Sequence, residues 1–243
     1  MLDLSIVIPA FNEGRKIAAD IKAAEKFIQR SNLIGQIIIV DDGSSDDTPE
    51  AAKSAAHDLA SKTEVKLISY HRHRGKGGAL RAGIAQTTGR FVMFADSGLC
   101  VPYENILLGL NLIKAGTCEI AHGSRKMQTS SIKRAQGFYR RVCSAIFHFF
   151  VVHLMHIRPE LTDTQCGFKI YKGDIARSLY GECISSGFMF DIEIILRAQK
   201  KRLPIKEFPI QWTCDPDSRL SPSRSLWRII AELATLKRTL KKQ

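Results

Sequence analysis

The amino-acid sequence predicts an α/β domain on a mainly parallel sheet with helices on both faces. Three observations carry that prediction. Short apolar runs alternate with stretches of helical periodicity through the first half of the chain. Most of these runs are nearly continuous in apolar character, as in strands covered on both faces. They also stop at polar, turn-forming residues, and ligands of a parallel sheet bind outside the carboxyl ends of its strands.

Element by element, "LSIVIPA" opens the chain as a strand and residues 15–29 follow as a helix. "QIIIVDDGS" is the next strand. The helix after it, over 49–60, has a clean start, with Asp47 or Thr48 as cap, Pro49 in the first turn and Glu50 close behind. "VKLISY", a helix over 77–85, "RFVMFAD", a helix over 104–114 and "CEIAHGS" continue the alternation. The polar ends "PAFNE", "DDGSSD" and "ADSG" therefore converge on one cleft.

Beyond Gly123 the pattern loosens. "GSRKMQTSSIKRAQGFYRR" reads as a basic loop leading into a helix. "VCSAIFHFFVVHLMHI" follows, apolar on almost every face and interrupted by His148, His153 and His156. "DTQCGFKIY" and "GFMFDIEIILRAQKKRLPIKEFPIQW" return to the sheet as a strand and a helix. The last stretch, 225–243, puts Leu226, Ile229, Ile230, Leu233, Leu236 and Leu240 on one helical face, with Arg228, Lys237, Arg238, Lys241 and Lys242 on the basic remainder. With no internal repeat or low-complexity linker, a single domain over 1–243 is expected.

Apolar residues make up 44% of the 243 residues, enough for a sizeable core. The 36 lysines and arginines exceed the 24 acids by 12, an excess that attracts anionic partners: nucleic acid, an anionic bilayer or phosphorylated small molecules. Six cysteines never fall as CxxC, which argues against a zinc site and gives no disulfide framework. A reducing, cytosolic setting is the simplest reading. The first residues lack a basic region and a cleavage site, and no apolar run reaches the ~20 residues of a spanning helix, so neither a signal peptide nor a transmembrane helix is expected.

Four motifs carry chemistry. "IVDDGSSDDT" sets Asp41 and Asp42 at a strand end, where carboxylates accept hydrogen bonds from ribose hydroxyls or a base N–H; "GSSDD" alone also suits a plain Asx-capped turn. "HRHRGKGGALRAG" joins a glycine-rich turn to Arg72, Arg74, Lys76 and Arg81. Its backbone N–H groups and following helix suit a diphosphate, although the spacing is neither a Walker loop nor GxGxxG, and a solvated basic loop is the alternative. "GSRK" and "KRAQGFYRR" gather Arg125, Lys126, Lys133, Arg134, Arg140 and Arg141 beside the apolar segment. They suit an anionic lipid headgroup, or else a packed helix with its charges in solvent. The three histidines there lack a cysteine or carboxylate at ligand spacing and are polar tips rather than metal ligands. In "RFVMFADSGLC", Asp96 is a lone acid where a cation site normally offers several hard oxygens.

In this order the motifs resemble the inverting GT-A glycosyltransferases of family 2, and within them the polyprenyl-phosphate branch. "SIVIPAFNEG" looks like the family's opening strand, "IIIVDDGSSDDT" like its nucleotide-binding strand end and "RGKGGALRAG" like its diphosphate loop. "TDTQCGFKIY" with "FMFDIEIILRAQ" is similar to the glucosyltransferase members, and the likeness runs from about Leu4 to Arg219. The resemblance implies a Rossmann-like GT-A domain with a nucleotide-sugar half over 1–122 and an acceptor half over 123–223. C-terminal amphipathic interface helices would lie near 138–157 and over 224–243. It implies transfer of a hexose, glucose from UDP-glucose, to a polyprenyl or dolichyl monophosphate with inversion, peripherally on the cytosolic face of an anionic membrane surface, with no nucleic acid.

Carried over by position, the resemblance gives Pro9, Ala10, Phe11, Glu13, Asp42 and Gly98 to the nucleotide sugar. Lys76 falls near the diphosphate, Asp96 on the metal or diphosphate, Gln165 beside the sugar, and Arg219 closes over the donor. Arg125, Arg134 and Arg140 meet the acceptor phosphate. Asp96, Asp163, Lys76 and Arg125 form the catalytic set. Asp163 orients the sugar, because a lipid monophosphate is already anionic and needs positioning more than a base. The family's DxD reads D-S-G here. That implies a weakly held Mg2+ or Mn2+ on Asp96, helped by Lys76, Arg125 and Arg219. The competing readings are a soluble family 2 transferase acting on a hydroxyl, a non-catalytic relative, and an RNA-binding protein, against which stands the lack of an aromatic stacking platform.

Overall fold

The computed structural model describes residues 2–59, 63–134, 151–152, 154–215, 232–233 and 235–239. The apolar runs become strands β1 (Leu4–Ala10), β2 (Gly35–Asp41), β3 (Glu64–Ser69), β4 (Phe91–Ala95), β5 (Ile120–Ser124), β7 (Phe168–Lys172) and β8 (Ile205–Pro209) of one sheet. Their order is β3-β2-β1-β4-β7-β5-β8. The pairs β1–β2, β2–β3, β1–β4 and β5–β8 are parallel, whereas β7 runs antiparallel to both β4 and β5. The sheet is mainly parallel, as the continuous apolar runs require of strands buried on both faces.

Helices cover both faces. α1 (Gly14–Arg30), α2 (Thr48–His57) and α4 (Ile106–Lys114) pack one side, through Ile17, Ile21, Phe27, Ala52, Ile106 and Leu110 against Ile6, Ile8, Ile37 and Ile39. α3 (Lys76–Ala85), α5 (Gly173–Gly181) and α6 (Phe190–Lys200) pack the other, through Leu80, Ile84, Leu179, Tyr180, Phe190 and Ile194 against Val7, Ile38, Val92 and Phe94. Successive strand residues point to opposite faces, so Ile6 and Val7 serve different cores. The chain leaves β1 toward β2 but reaches β4 on the opposite side, which makes the β1/β4 boundary the topological switch point, the place where open parallel sheets bind their ligands.

Two expectations change. Ser131–Arg134, read as loop, is strand β6, paired in parallel with β9 (Gln211–Thr213) in a second small sheet. Ser131, Ile132 and Lys133 are exposed and carry no buried-strand pattern, so only the long-range pairing reveals it. The tail does not hold its whole apolar face toward a bilayer. Leu233 and Leu236 are buried with Val151, Met155, Met189, Ile192 and Ile195, so part of that stripe packs against α6. The helix α5 was not read from the sequence. Residues 135–150, which include Arg140, and 216–231, which include Arg219, lie outside the described residues, as do Leu240, His148 and His153. No helix among the described residues is long and apolar enough to cross a membrane.

Candidate active site

The polar strand ends meet as expected. Pro9 and Ala10 close β1, and past them Asn12 adopts a left-handed φ of 53°. Asn12 N donates to Ser44 Oγ at 2.8 Å, Ser45 N to Asn12 Oδ1 at 2.7 Å, and Glu13 N to Thr48 Oγ1 at 2.7 Å. The β1 and β2 exits are thereby tied together. The Phe11 ring lies 4.1 Å from that of His73, tilted by 33°.

Asp42 is buried and its carboxylate is engaged by the glycine-rich loop. Arg74 N donates to Oδ1 and Gly75 N to Oδ2, both at 2.8 Å, with His73 Nδ1 2.9 Å from Oδ2. The glycines answer a steric demand. A Cβ at Gly75 (φ 91°) would lie 2.4 Å from Ser186 O, and one at Gly77 would lie 2.4 Å from Ser185 O. Gly78 N also donates to Ser186 O at 3.2 Å. The glycines read as an anion cradle thus admit the 185–187 backbone, and the loop offers its charge through Lys76.

That charge meets Asp96 directly. Lys76 Nζ is 2.6 Å from Asp96 Oδ1, just past the end of β4. Burial pushes the Lys76 ammonium toward a lower pKa, but Asp96 and, behind it, Asp191 outweigh burial and hold it above its ordinary value. Asp191 pairs very closely with Lys169; both are buried, and Lys169 Nζ also donates to Thr164 O at 3.0 Å. Charges of alternating sign thus run Lys169, Asp191, Lys76, Asp96 from the core to the cleft. From the β7 side, Gly167 O accepts from Asp96 N at 2.9 Å.

A second pair stands on the acceptor side. At the exit of β5, Arg125 Nε and Nη2 each donate to Asp163 at 2.7 Å, and Arg125 N adds a bond of 3.0 Å. This is the bidentate fork that fixes a guanidinium in one plane. Burial raises the Asp163 carboxyl, but the hydrogen bonds and charge of Arg125 win and hold it below its ordinary value. Glu207 on β8 supports the pair, accepting from Asp163 N at 2.7 Å and from Thr162 Oγ1 at 2.6 Å. Arg125 also lies 5.3 Å over the Trp212 ring. The buried Cys166 thiol, raised first by burial, feels Asp163, Arg125, Lys169 and Asp96 together, so these charges surround one locality. Gln165 Nε2 and Thr164 Oγ1 are buried without a hydrogen-bond partner among the described residues.

Gly98, expected at the nucleotide, gives its N–H to a residue that sequence reading missed. Asp20 of α1 is fully buried and accepts from Ser97 Oγ at 2.6 Å, Gly98 N at 3.0 Å and Leu99 N at 2.9 Å. A signal for it existed: an acid between Ile17 and Ile21 sits on the apolar stripe of a helix, where an unpaired charge is costly. Lys169, inside the buried strand "FKIYK", and Asp191, in the buried first turn of α6, carry the same signal.

Of the expected basic set, Lys76 and Arg125 come together near Asp96, and Arg134 has its backbone in β6. Lys76 and Arg125 are each already neutralised by an acid, as Lys16 is by Asp215 at 2.7 Å. No group of three or more histidine, cysteine, aspartate or glutamate side chains among the described residues could hold a metal ion. Asp96 fits a divalent cation as a single hard-oxygen ligand, the number that magnesium accepts when substrate phosphates and waters complete its shell.

A mainly parallel sheet whose exits carry the ion pairs Lys76–Asp96 and Arg125–Asp163 frames the candidate site. The chain belongs to glycosyl transferase family 2, whose model matches residues 5–179, and is a glycosyltransferase. It is 29% identical over 231 residues to a dolichyl-phosphate beta-glucosyltransferase of Drosophila melanogaster, covering 91% of this chain and 70% of that protein. The Homo sapiens protein of that name is 29% identical over 229 residues, covering 90% of this chain and 70% of the relative. Among solved structures, glucosyl-3-phosphoglycerate synthase from Mycobacterium tuberculosis, in complex with Mn2+, uridine-diphosphate and phosphoglyceric acid, superposes with a TM-score of 0.73 at 18% identity, over 97% of this chain and 78% of that one. Mannosyl-3-phosphoglycerate synthase from Rubrobacter xylanophilus gives 0.68 at 18% identity, over 100% and 76%. The fold is GT-A.

Proposed function

We propose that the chain transfers glucose from UDP-glucose to a polyprenyl monophosphate, with inversion, at the cytosolic face of an anionic membrane. The observation that carries the reading is the pair of neutralised cations at the exits of β4 and β5, which flank β7. Lys76–Asp96 belongs to the half expected to hold the donor, and Arg125–Asp163 to the half expected to hold the acceptor. The names of the relatives supply the sugar and the lipid phosphate.

In the reaction a phosphate oxygen of the acceptor attacks the anomeric carbon as the bond to the diphosphate breaks, and UDP leaves. The attacking oxygen is already anionic, so no proton moves. Asp163 accordingly acts by holding Arg125 toward the acceptor phosphate, and its lowered pKa suits an acceptor of hydrogen bonds rather than a base. Lys76 neutralises the departing diphosphate, and Gln165 Nε2 gives its unused N–H to the donor. Because Lys76 and Arg125 are each already matched by an acid, they compensate only part of the diphosphate's charge. A divalent cation on Asp96, when bound, supplies the rest.

The test is transfer from UDP-glucose by the full chain, offered a short polyprenyl phosphate, 3-phosphoglycerate or glycerol, with and without chelator. Lipid-linked glucose of inverted configuration, lost with chelator and restored by Mn2+, is expected. Transfer to 3-phosphoglycerate or glycerol in preference to the lipid would overturn the acceptor reading. Sedimentation with anionic vesicles at low salt, reversed by high salt, tests the membrane reading.

A further inference from the structure

We infer that Asp20, a helix residue with no place in the cleft, is the positioning residue that presets the Asp96 turn to receive a cation-bound diphosphate. The inference rests on the donor reading above. Ser97, Gly98 and Leu99 follow Asp96 without a second acid, and the turn they make is unfavourable on its own. Gly98 has φ 97° and Leu99 has φ 49°, the latter a left-handed conformation that a branched apolar side chain seldom adopts. Leu99 is also 39% exposed, so burial of its side chain does little to hold it there.

The compensating interaction comes from beneath. Asp20 is 0% exposed, and its two oxygens take three donors of the turn: Ser97 Oγ at 2.6 Å, Gly98 N at 3.0 Å and Leu99 N at 2.9 Å. Hydrogen bonds to a carboxylate are about twice as strong as neutral ones, and their strength grows in a low-dielectric interior. On the opposite side Asp96 N is fixed to Gly167 O at 2.9 Å. The turn is therefore pinned at both ends, and the single carboxylate that faces the cleft has little freedom to swing. A lone ligand depends on such fixing more than a ligand pair, because no second ligand restores the geometry when the first moves.

The experiment measures UDP binding by calorimetry, with and without Mn2+, on the wild-type chain and on Asp20→Asn and Ser97→Ala, together with amide hydrogen exchange over residues 96–100. Asn keeps the shape but replaces one acceptor by a donor that opposes a backbone N–H. The expected result is protection of the Gly98 and Leu99 amides in the wild type, lost in Asp20→Asn, with Mn2+–UDP bound about tenfold more weakly and metal-free UDP unchanged. Ser97→Ala, which removes one donor and leaves the fold intact, loses about threefold on the same readout. Equal weakening with and without Mn2+ would mark a general structural defect and overturn the inference, as would fast-exchanging amides in the wild type. A wild-type chain that binds no UDP overturns the donor reading itself.

Discussion

The carboxylate of Asp96 lies directly over the α-carbon of Gly167: a Cβ there would stand 2.0 Å from Asp96 Oδ2. The two residues come from distant motifs, "ADSG" and "TQCGF", joined where β4 pairs antiparallel with β7. Gly167 is needed for space. Gly167→Ala should push the Asp96 carboxylate out of place and lower kcat about 100-fold, the scale of a misplacement near 1 Å. Melting curves and steady-state kinetics check this; an alanine variant with wild-type kcat would show that Asp96 has no fixed role.

A divalent cation held by Asp96, as proposed above, would compete with Lys76, whose Nζ stands 2.6 Å from Asp96 Oδ1. Lys76→Met should therefore tighten Mn2+ binding roughly tenfold, the equivalent of about 1.4 kcal/mol, while lowering kcat through loss of charge at the leaving diphosphate. Titration of the paramagnetic Mn2+ signal separates the two effects. Weaker Mn2+ binding in the variant would mean that Lys76 supports the cation instead of opposing it.

Asp163 and Arg125 make a prediction about pH. The Asp163 carboxyl is held below 3.8 in the folded chain, so its stabilisation is complete above that value and is lost as pH falls through the lower folded pKa. Asp163→Asn leaves a mostly buried guanidinium without its acid and should cost about 3 kcal/mol at neutral pH. Urea denaturation of both proteins from pH 7 downward should show a constant gap that begins to close only near pH 4 and below. A gap that closes between pH 7 and 5 would point to another group.

Leu236 tests the packing of the tail. It is 1% exposed within the cluster formed with Met189, Ile192 and Ile195. Leu236→Ala should destabilise the chain by about 2–4 kcal/mol by leaving a cavity. Vesicle sedimentation should be unchanged, because this side chain faces the protein. Loss of vesicle binding without loss of stability would return Leu236 to the bilayer.

Much of this site could be read along the chain, because strand exits announce themselves locally. An apolar run that stops at Asp96 or Asp42 places a carboxylate at the sheet's edge whatever the rest of the fold does. Lys76 and Arg125 were legible for the same reason, each lying at the boundary of a helix or strand. Asp20 marks itself only as an acid on the apolar stripe of α1, and the donors that satisfy it lie 77 to 79 residues away, so its partner stayed hidden. The Lys169–Asp191 pair joins residues 22 apart, and Glu207 reaches Asp163 across 44.

By itself the sequence determined the alternation of strands and helices, the cleft to which their ends point, and the charges brought there. Periodicity and turn chemistry act between near neighbours, and those settle such features. Only the tertiary structure decided how the charges are spent. Asp163 fixes Arg125, Asp42 fixes the glycine loop, and the glycines admit the 185–187 backbone. Part of the tail's apolar stripe closes onto α6. Hydrogen bonds, ion pairs and close packing depend on angstrom-scale approach between distant segments, which no local pattern encodes.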